Sequence, residues 1–330
     1  MTRSTKSQDD GKGDMDIPEA SEACSSVLAE VSKAVIAEQE FLERIMLGVL
    51  SRGHVLLEDV PGTGKTLSAR SVATALGLSF SRVQFTPDLL PSDVTGTNIF
   101  NEREQSFEFS EGPIFANVVL ADEINRAPPK TQAALLEAME EGQVTVDGET
   151  HELPKPFFVI ATQNPVESEG TFPLPEAQID RFVVKTSIGY PDSDGEVELL
   201  RRRVGREARS PSVGSVLSRE EVMDVRLVPE DVRVDEDLLH YMADIARTTR
   251  NDRRVDVGVS PRGTQRLLEA SRARAVLSGR EFVTPDDVKR VSPAVLAHRL
   301  VLTPDAQVND VAKADVVSDV LERVEVPTIE

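Results

Sequence analysis

The sequence has 330 residues, of which 39% are hydrophobic and 28% are charged, so it is long enough for two globular domains. Its formal net charge of −20 argues against a general nucleic-acid-binding protein, because contacts with phosphates need clustered Lys and Arg. No apolar run approaches the roughly 18 residues of a membrane span, and the polar amino terminus lacks the apolar stretch of a signal peptide, so we expect a cytoplasmic protein.

Acidic residues are spread along the whole chain rather than gathered in a tail, and arginine outnumbers lysine. This pattern is compatible with a cytoplasm of high salt concentration, where screening weakens repulsion between like charges. Whether the composition reflects such an environment is a question that the sequence leaves open.

The amino-terminal segment, residues 1–22, is rich in Ser, Asp, Gly and Lys and shows no periodicity, which predicts a disordered tail. From Val27 to Leu50 apolar residues recur at spacings of three and four, which predicts one or two amphipathic helices that end before Gly53. The folded part of the chain is therefore expected to begin at residue 23.

Short apolar runs then alternate with helix-like segments up to residue 190. The predicted strands are His54–Glu58, Phe80–Phe85, Asn117–Asp122, Phe157–Thr162 and Phe182–Ser187. The predicted helices between them are Lys65–Leu76 and Pro129–Glu141. This alternation predicts that residues 23–190 form an α/β domain with a mainly parallel sheet buried on both faces.

Two inserts in this domain have the pattern of β-hairpins. Residues 97–110 alternate like two strands around a charged turn. Residues 143–153 carry Asp147 and Gly148, a dipeptide typical of tight hairpin turns. We therefore predict hairpin inserts near 97–110 and 143–153.

The pattern changes again after Tyr190. Residues 191–230 are charged and contain Pro, Gly and Ser, which predicts a linker. The predicted helices beyond it are Asp235–Thr249, Pro261–Ser278, Pro285–His298 and Ala314–Val324. We therefore expect residues 231–330 to form a smaller, all-helical domain.

The segment EDVPGTGKT, residues 58–66, is close to the phosphate-binding pattern G-x-x-x-x-G-K-[ST], although Asp59 stands at the position of the first glycine. A predicted strand precedes this segment and a predicted helix follows it, which is the context that such a loop needs. Lys65 can reach the β and γ phosphate oxygens of ATP and Thr66 can bind Mg²⁺, while the Asp59 side chain can turn away from the phosphates. The candidate ATP-binding residues in this loop are Pro61, Gly62, Thr63, Gly64, Lys65, Thr66 and Leu67.

The segment VVLADEINRA, residues 118–127, is an apolar strand that ends in two acids. Asp122 is a candidate for ATP binding and for holding Mg²⁺ together with Thr66. Glu123 is a candidate catalytic residue, placed to polarise an attacking water.

A third polar group, Asn164, follows the buried strand in FFVIATQNP, residues 157–165. Its amide can orient the attacking water against the γ phosphate without carrying charge. Asn before Pro is also a common start of a turn, so a structural role remains the alternative.

Several long blocks of this sequence resemble the MoxR family of AAA+ ATPases over about residues 28–305. The blocks are EDVPGTGKT, LADEINRAPPKTQAALLEAMEEGQVTVDG, ATQNPVESEGTFPLPEAQIDRF and GVSPRGTQRLL. The resemblance implies a P-loop domain with a five-stranded parallel sheet in the order 5-1-4-3-2 and a C-terminal helical lid. It also implies that the two hairpins match the helix-2 insert and the pre-sensor-1 insert of that clade.

The resemblance implies catalytic roles for three residues: Asn164 as sensor 1, Arg262 as sensor 2 on the lid, and Arg181 as an arginine finger. An arginine supplied by a neighbouring chain can raise the rate of phosphoryl transfer by about 10³–10⁵. A surface ion pair for Arg181 and a contact within the lid for Arg262 are the alternatives. Arg126 is a second candidate for the finger, which spacing does not exclude.

The resemblance also places adenine near Val35 and Ile36, although an apolar pair of this kind is commonly part of a core. If ATP contacts Lys65 and Asn164 on one side and Arg262 on the other, hydrolysis would shift the lid against the α/β domain.

For function, the resemblance implies an ATP-hydrolysing, chaperone-like protein that remodels, matures or activates protein complexes. The implied partners are other copies of the chain in a ring, hexameric in relatives, a protein with a von Willebrand factor A domain and a client complex. The sequence gives neither the client nor the ring size. A nucleic-acid-remodelling ATPase is one alternative, which the acidic balance disfavours, and a nucleotide-dependent scaffold with little turnover is another, which Glu123 and Arg181 disfavour.

Overall fold

A computed structural model describes residues 15–165, 170–205 and 212–328. The strands are β1 His54–Glu58, β2 Phe80–Gln84, β3 Gly96–Asn101, β4 Ser106–Glu111, β5 Val118–Asp122, β6 Gln143–Val146, β7 Glu149–Glu152, β8 Phe158–Gln163, β9 Phe182–Thr186, β10 Val255–Val257 and β11 Val301–Leu302. The helices are α1 Ile17–Ser32, α2 Gln39–Leu50, α3 Lys65–Ala75, α4 Pro91–Thr95, α5 Pro129–Glu141, α6 Glu176–Ile179, α7 Ser193–Val204, α8 Arg219–Val225, α9 Glu236–Arg250, α10 Pro261–Leu277, α11 Pro285–Leu296, α12 Pro304–Val308 and α13 Lys313–Arg323. No helix among these residues is long and apolar enough to cross a membrane.

The five predicted apolar strands form one parallel sheet. Strand β1 pairs with β8 and β9, and β5 pairs with β2 and β8, all in parallel. The sheet therefore runs β2-β5-β8-β1-β9. Numbered one to five along the chain, these strands have the order 5-1-4-3-2, so the expected fold class is confirmed.

Side chains of β1 alternate between two hydrophobic cores, as the two-residue period of a strand requires. Val55 and Leu57 belong to the larger core, which also contains side chains of α1, α2 and α3, whereas Leu56 belongs to the core beneath α5. The larger core continues into the carboxyl-terminal helices through residues such as Leu267 and Val291. The helical domain is therefore packed against the sheet domain through shared apolar contacts.

Helix α1 begins at Ile17, so the predicted tail of residues 1–22 is wrong for its last part. Asp16 accepts a hydrogen bond from the Glu19 N–H, and the Glu19 side chain accepts one from the Asp16 N–H, which forms a capping box. Ile17 and Ala20 are buried, so the first turn also packs against the core. Residues 1–14 of the predicted tail lie outside the described residues.

The predicted linker at 191–230 contains two helices, α7 and α8, where a linker was expected. Helix α7 begins after Asp192, whose carboxylate accepts a hydrogen bond from the Gly195 N–H. None of the residues of α7 is buried, although Val197, Leu200 and Val204 recur at spacings of three and four. The many charged residues of this segment favoured the linker prediction. Residues 206–211 lie outside the described part of the chain.

Both inserts form hairpins. Strands β3 and β4 pair antiparallel, and so do β6 and β7. The β6–β7 turn has positive φ at Asp147 (52°) and Gly148 (88°), the conformation that two-residue hairpin turns favour. The hairpins also contact each other, since the Asn98 side chain donates a hydrogen bond to Asp147 over 2.9 Å.

The carboxyl-terminal domain consists of α9 to α13, together with a short antiparallel ladder between β10 and β11. The prediction of an all-helical domain is thus correct except for this ladder. Arg254, in the turn between α9 and β10, forms ion pairs with Asp252 of the same turn and with Asp319 of α13, and so joins that turn to α13.

Candidate nucleotide site

The candidate phosphate-binding loop joins the end of β1 to the start of α3. Gly62 and Gly64 have φ of 89° and 95°, the left-handed region that favours glycine. A Cβ built on either residue would meet no atom within 4 Å, so conformation rather than crowding requires glycine at both positions. The loop leads into the amino terminus of α3, whose first N–H groups have no partner within the helix and can bind an anion.

Lys65 and Thr66 occupy the first turn of α3. The Lys65 ammonium donates hydrogen bonds to the carbonyl oxygens of Asp59, over 2.8 Å, and Val60, over 2.9 Å. The ammonium therefore lies against the opening of the loop, where it can exchange these carbonyls for phosphate oxygens.

Asp59, which replaces the first glycine of the pattern, is buried and points away from the loop interior. One carboxylate oxygen accepts the Val60 N–H over 2.9 Å, and the other accepts the N–H groups of Ile188 and Gly189 over 2.7 and 3.0 Å. Ile188 and Gly189 follow β9, so Asp59 ties the loop to the segment that leads into α7. The carboxylate thus accepts hydrogen bonds from three backbone N–H groups and does not face the side of the loop where phosphate would bind.

Asp122 ends β5 and is held from both neighbouring strands. Thr162 on β8 donates its hydroxyl to one carboxylate oxygen over 2.7 Å. Arg82 on β2 donates to the other oxygen from Nε, over 3.0 Å, and from Nη2, over 2.6 Å. The sequence reasoning missed Arg82 and Thr162, because their contact with Asp122 depends on the order and register of the strands.

Glu123 has a left-handed backbone conformation (φ 58°, ψ 50°), which is uncommon for a residue with a side chain. Its N–H donates to the Thr162 hydroxyl over 2.8 Å. Its carboxylate accepts from Gln84 over 2.8 Å and from Arg126 over 3.2 Å. Thr162 therefore contacts both acids. Arg126, the second candidate for the arginine finger, pairs with Glu123 of its own chain.

Asn164 follows β8 directly and is buried. The neighbouring Gln163 donates to Glu58 over 2.6 Å, and Glu58 also pairs with Lys185 over 2.7 Å. The ends of β1, β5, β8 and β9 are thus joined by polar contacts. We call the side of the sheet where its strands end the carboxyl edge, and it brings together the loop, Asp122, Glu123 and Asn164.

The groups that can hold a metal at this edge are the Thr66 hydroxyl and the Asp122 carboxylate. Within the described residues no group of three or more His, Cys, Asp or Glu side chains could hold a metal ion by itself. Mg²⁺ suits such a site, because it prefers oxygen ligands and is commonly held by one or two carboxylates together with substrate phosphates and water.

Comparison with known proteins agrees with this geometry. The family described as "ATPase family associated with various cellular activities (AAA)" matches residues 54–184, and the family described as "AAA lid domain" matches residues 247–320. The chain is 41% identical to Chaperone MoxR1 of Mycobacterium tuberculosis over 91% of this chain and 81% of that protein. The chain belongs to the MoxR family of AAA+ ATPases.

Two further similarities extend over nearly the whole MoxR-family chain. It is 46% identical to the uncharacterised protein YeaC of Bacillus subtilis, over 90% of this chain and 92% of that protein. The crystal structure of a proposed ATPase from Cytophaga hutchinsonii matches with a TM-score of 0.87 and 38% identity, over 94% of this chain and 96% of that one. As a member of this family, the protein binds nucleotide and hydrolyses ATP.

In this MoxR-family chain, Arg181 and Arg262 lie together, away from the phosphate-binding loop. Each donates to one oxygen of the Glu140 carboxylate on α5, over 3.1 Å in both cases. We call Arg181 and Arg262 the arginine pair. It brings the predicted finger and the predicted lid residue to a single carboxylate.

The arginine pair is at the amino edge of the sheet, where its strands begin. Arg181 directly precedes β9, and Phe182 is paired with His54 at the start of β1. The loop follows Glu58 at the other end of β1, about 13 Å away at about 3.3 Å per residue. The expected contact of Arg262 with a nucleotide on its own chain does not fit this placement.

The two residues proposed to lie near adenine differ in their surroundings. Val35 is buried in the larger core. Ile36 lies beside the start of α7, since a Cβ on Gly195 would be 3.5 Å from its Cγ2. Asp59 binds the backbone of Ile188 and Gly189, which lead into α7. Ile36 is therefore close to the segment that Asp59 holds in place.

Proposed function

We propose that the carboxyl edge of the sheet is an ATP-hydrolysing site that uses Mg²⁺. The observation that carries this proposal is the convergence there of a glycine loop, Lys65, two consecutive acids and a buried amide. The N–H groups of residues 62–65 surround the β and γ phosphates, and Lys65 turns from the Asp59 and Val60 carbonyls to their oxygens. Mg²⁺ held by Thr66 and Asp122 would neutralise the charge that develops on the phosphate oxygens.

Glu123 is the group we assign to polarise the attacking water, and Asn164 the group that orients it. Thr162 supports this assignment, because it fixes the Glu123 backbone and the Asp122 carboxylate at once. Gln84 and Arg126 both contact the Glu123 carboxylate and set its direction. Pro61, Thr63 and Leu67 shape the loop and the first turn of α3 without charge of their own.

We assign the arginine pair to the ATP site of a neighbouring copy of the chain. Arg181 and Arg262 are about the length of a strand away from their own loop, so they cannot stabilise charge on a phosphate bound there. A head-to-tail contact between copies would bring the amino edge of one chain to the carboxyl edge of the next. Such a contact generates a ring when the rotation closes, and a hexamer is the form we propose.

We further propose that ATP hydrolysis drives remodelling, maturation or activation of a protein complex, with a von Willebrand factor A domain protein as partner. The β3–β4 hairpin supports a protein client, since Phe100 and Phe107 at its tip are exposed and form an edge-to-face pair at 5.3 Å. Glu102, Glu104 and Glu108 accompany them, and their charge disfavours nucleic acid as the client.

An affinity capture with Glu123→Gln protein in the presence of ATP tests this proposal. The variant keeps the groups that bind phosphate and loses the carboxylate that activates water, so it should hold ATP and retain its client. We expect a protein complex to be captured with ATP and not with ADP. Capture of nucleic acid without a protein partner would contradict the chaperone-like role, and wild-type hydrolysis by Glu123→Gln would contradict the assignment of Glu123.

A further inference from the structure

Arg299 is a fully buried arginine of the helical lid that contacts the segment carrying Arg181. It lies in the short 3-10 turn after α11, and 1% of its side chain is exposed. Its Nε donates to the Asp180 carboxylate over 2.7 Å. Its Nη2 donates to the carbonyl oxygens of Asp180 and Phe182, over 3.2 and 2.7 Å. These contacts lie immediately before and immediately after Arg181.

Burying a guanidinium group is unfavourable unless it is paired and its donors find acceptors. Here the ion pair with Asp180 and the carbonyls of Phe182 and Val183 satisfy it. Burial lowers the pKa of Arg299 to about 10, and Asp180 opposes that shift, so the group remains charged near neutral pH. An apolar side chain could fill this space, but it would not bind the two carbonyls beside Arg181.

The same side chain also lies against the residue that follows Arg262. A Cβ built on Gly263 would be 2.9 Å from Cδ of Arg299 and 2.8 Å from a methyl group of Val259. Glycine at position 263 therefore makes room for the stem of Arg299. One buried side chain thus contacts the backbone next to both members of the arginine pair.

We propose that Arg299 is a positioning residue that fixes Arg181 and Arg262 relative to each other. The helical lid and residues 180–182 would then act as one unit on the neighbouring ATP site. This inference rests on the proposed role of the arginine pair in a neighbouring site. Arg299 does not itself contact ATP. Movement of the lid in one protomer is then transmitted to the site of the next through Asp180 and Phe182.

Mixtures of two defective variants provide the test. Lys65→Ala protomers keep Arg181 but have an impaired ATP site, and Arg181→Ala protomers keep the ATP site but lack the arginine. Each Lys65→Ala protomer can supply Arg181 to an Arg181→Ala neighbour, so the mixture should recover ATP hydrolysis that neither variant shows alone. Absence of recovery would contradict the neighbouring-site role of Arg181, and with it the inference.

Arg299→Lys or Asp180→Asn is then added to one member of the mixture at a time. Asp180→Asn is nearly isosteric and guards against failure of Arg299→Lys to fold. On the Lys65→Ala protomer either change should lower the recovered rate about ten- to hundredfold, because small misplacements of a catalytic group can cost about that much. On the Arg181→Ala protomer the same change should leave the recovered rate unaltered.

Glu43→Gln is the matched control, since Glu43 pairs with Arg274 over 3.1 Å and so also joins the sheet domain to the lid, but not beside Arg181. On the Lys65→Ala protomer it should leave recovery unaltered, with ring formation checked by sedimentation. Equal losses from Asp180→Asn on either protomer, or no loss on the Lys65→Ala protomer, would overturn the positioning role. Either result would leave the neighbouring-site role of Arg181 intact.

Discussion

Asp59 occupies the position at which the phosphate-binding loop pattern has its first glycine, yet its carboxylate serves a structural purpose. It accepts N–H groups from Val60, Ile188 and Gly189. The sequence predicts that the strand ends at Glu58, directly before this residue, and that the glycines of the loop follow it. Two partners of the carboxylate, Ile188 and Gly189, could not be inferred, because they lie about 130 residues further along the chain.

Asp59→Gly should lower the free energy of unfolding and leave ATP binding nearly unchanged. It leaves three partly buried N–H donors without an acceptor, at up to about 1–3 kcal/mol each, but alters no group that faces phosphate. Urea unfolding and ATP titration measure the two effects. Lys65→Ala is the comparison, and it should abolish ATP binding or turnover. A large gain in ATP affinity for Asp59→Gly would mean that the carboxylate faces the phosphates.

Thr162→Val should lower kcat for ATP hydrolysis by about tenfold or more, with a small change in KM. Valine keeps the shape of the side chain but removes the donor to Asp122 and the acceptor for the Glu123 N–H, so the catalytic acids lose their alignment. Steady-state kinetics measure the effect, and Thr162→Ser, which keeps the hydroxyl, should retain most activity. An unchanged kcat for Thr162→Val would exclude this aligning role.

Elements with a strong apolar pattern were predictable, and those stabilised by caps or tertiary contacts were not. Strand β1 and helix α5 have the predicted bounds, because an apolar run and flanking Gly or Pro mark them. Helix α7 was not predicted because its many charged residues outweigh an apolar spacing of three and four. The start of α1 was not predicted because its capping box lies in a polar segment. The loop, Asp122, Glu123 and Asn164 were found because each follows an apolar strand, whereas Arg82, Gln84 and Thr162 become apparent only once strands are paired.

His54 at the start of β1 connects three elements and gives a test by pH. Its Nδ1 accepts the Val159 N–H of β8 over 3.0 Å, and its Nε2 lies 3.0 Å from the Met139 carbonyl of α5. Burial lowers the pKa of His54 from 6.5 to about 4, so the folded state binds a proton less readily than the unfolded chain. Its contribution to stability is therefore complete above pH 6.5 and is lost as the pH falls toward 4.

Wild-type protein should accordingly lose stability relative to His54→Gln by about 3 kcal/mol between pH 6.5 and pH 4, at about 1.4 kcal/mol for each unit of pKa difference. The comparison removes the effects of other titrating groups, which both proteins share. Unfolding by urea at several pH values measures the difference. A difference in unfolding free energy that is constant across this range would show that His54 is not held neutral by the fold.

At the scale of the whole molecule, the groups that we propose to act in ATP hydrolysis lie at the two opposite edges of one sheet. Nucleotide-binding groups lie at the carboxyl edge, and the arginine pair lies at the amino edge with the lid packed beside it. On the assignment that we propose for the arginine pair, one chain carries half of two different sites. A single protomer should be a poor ATPase, and assembly and hydrolysis should be coupled.

The most direct test measures specific ATPase activity and sedimentation over a range of protein concentrations, for wild type and for Arg181→Ala. The account predicts that wild-type activity per protomer rises in step with the assembled fraction. Arg181→Ala should assemble and bind ATP but hydrolyse it about 10³-fold more slowly, which is the lower end of the range for an arginine finger. Specific activity that stays the same from monomer to assembly, with Arg181→Ala as active as wild type, would contradict a site shared between neighbouring chains.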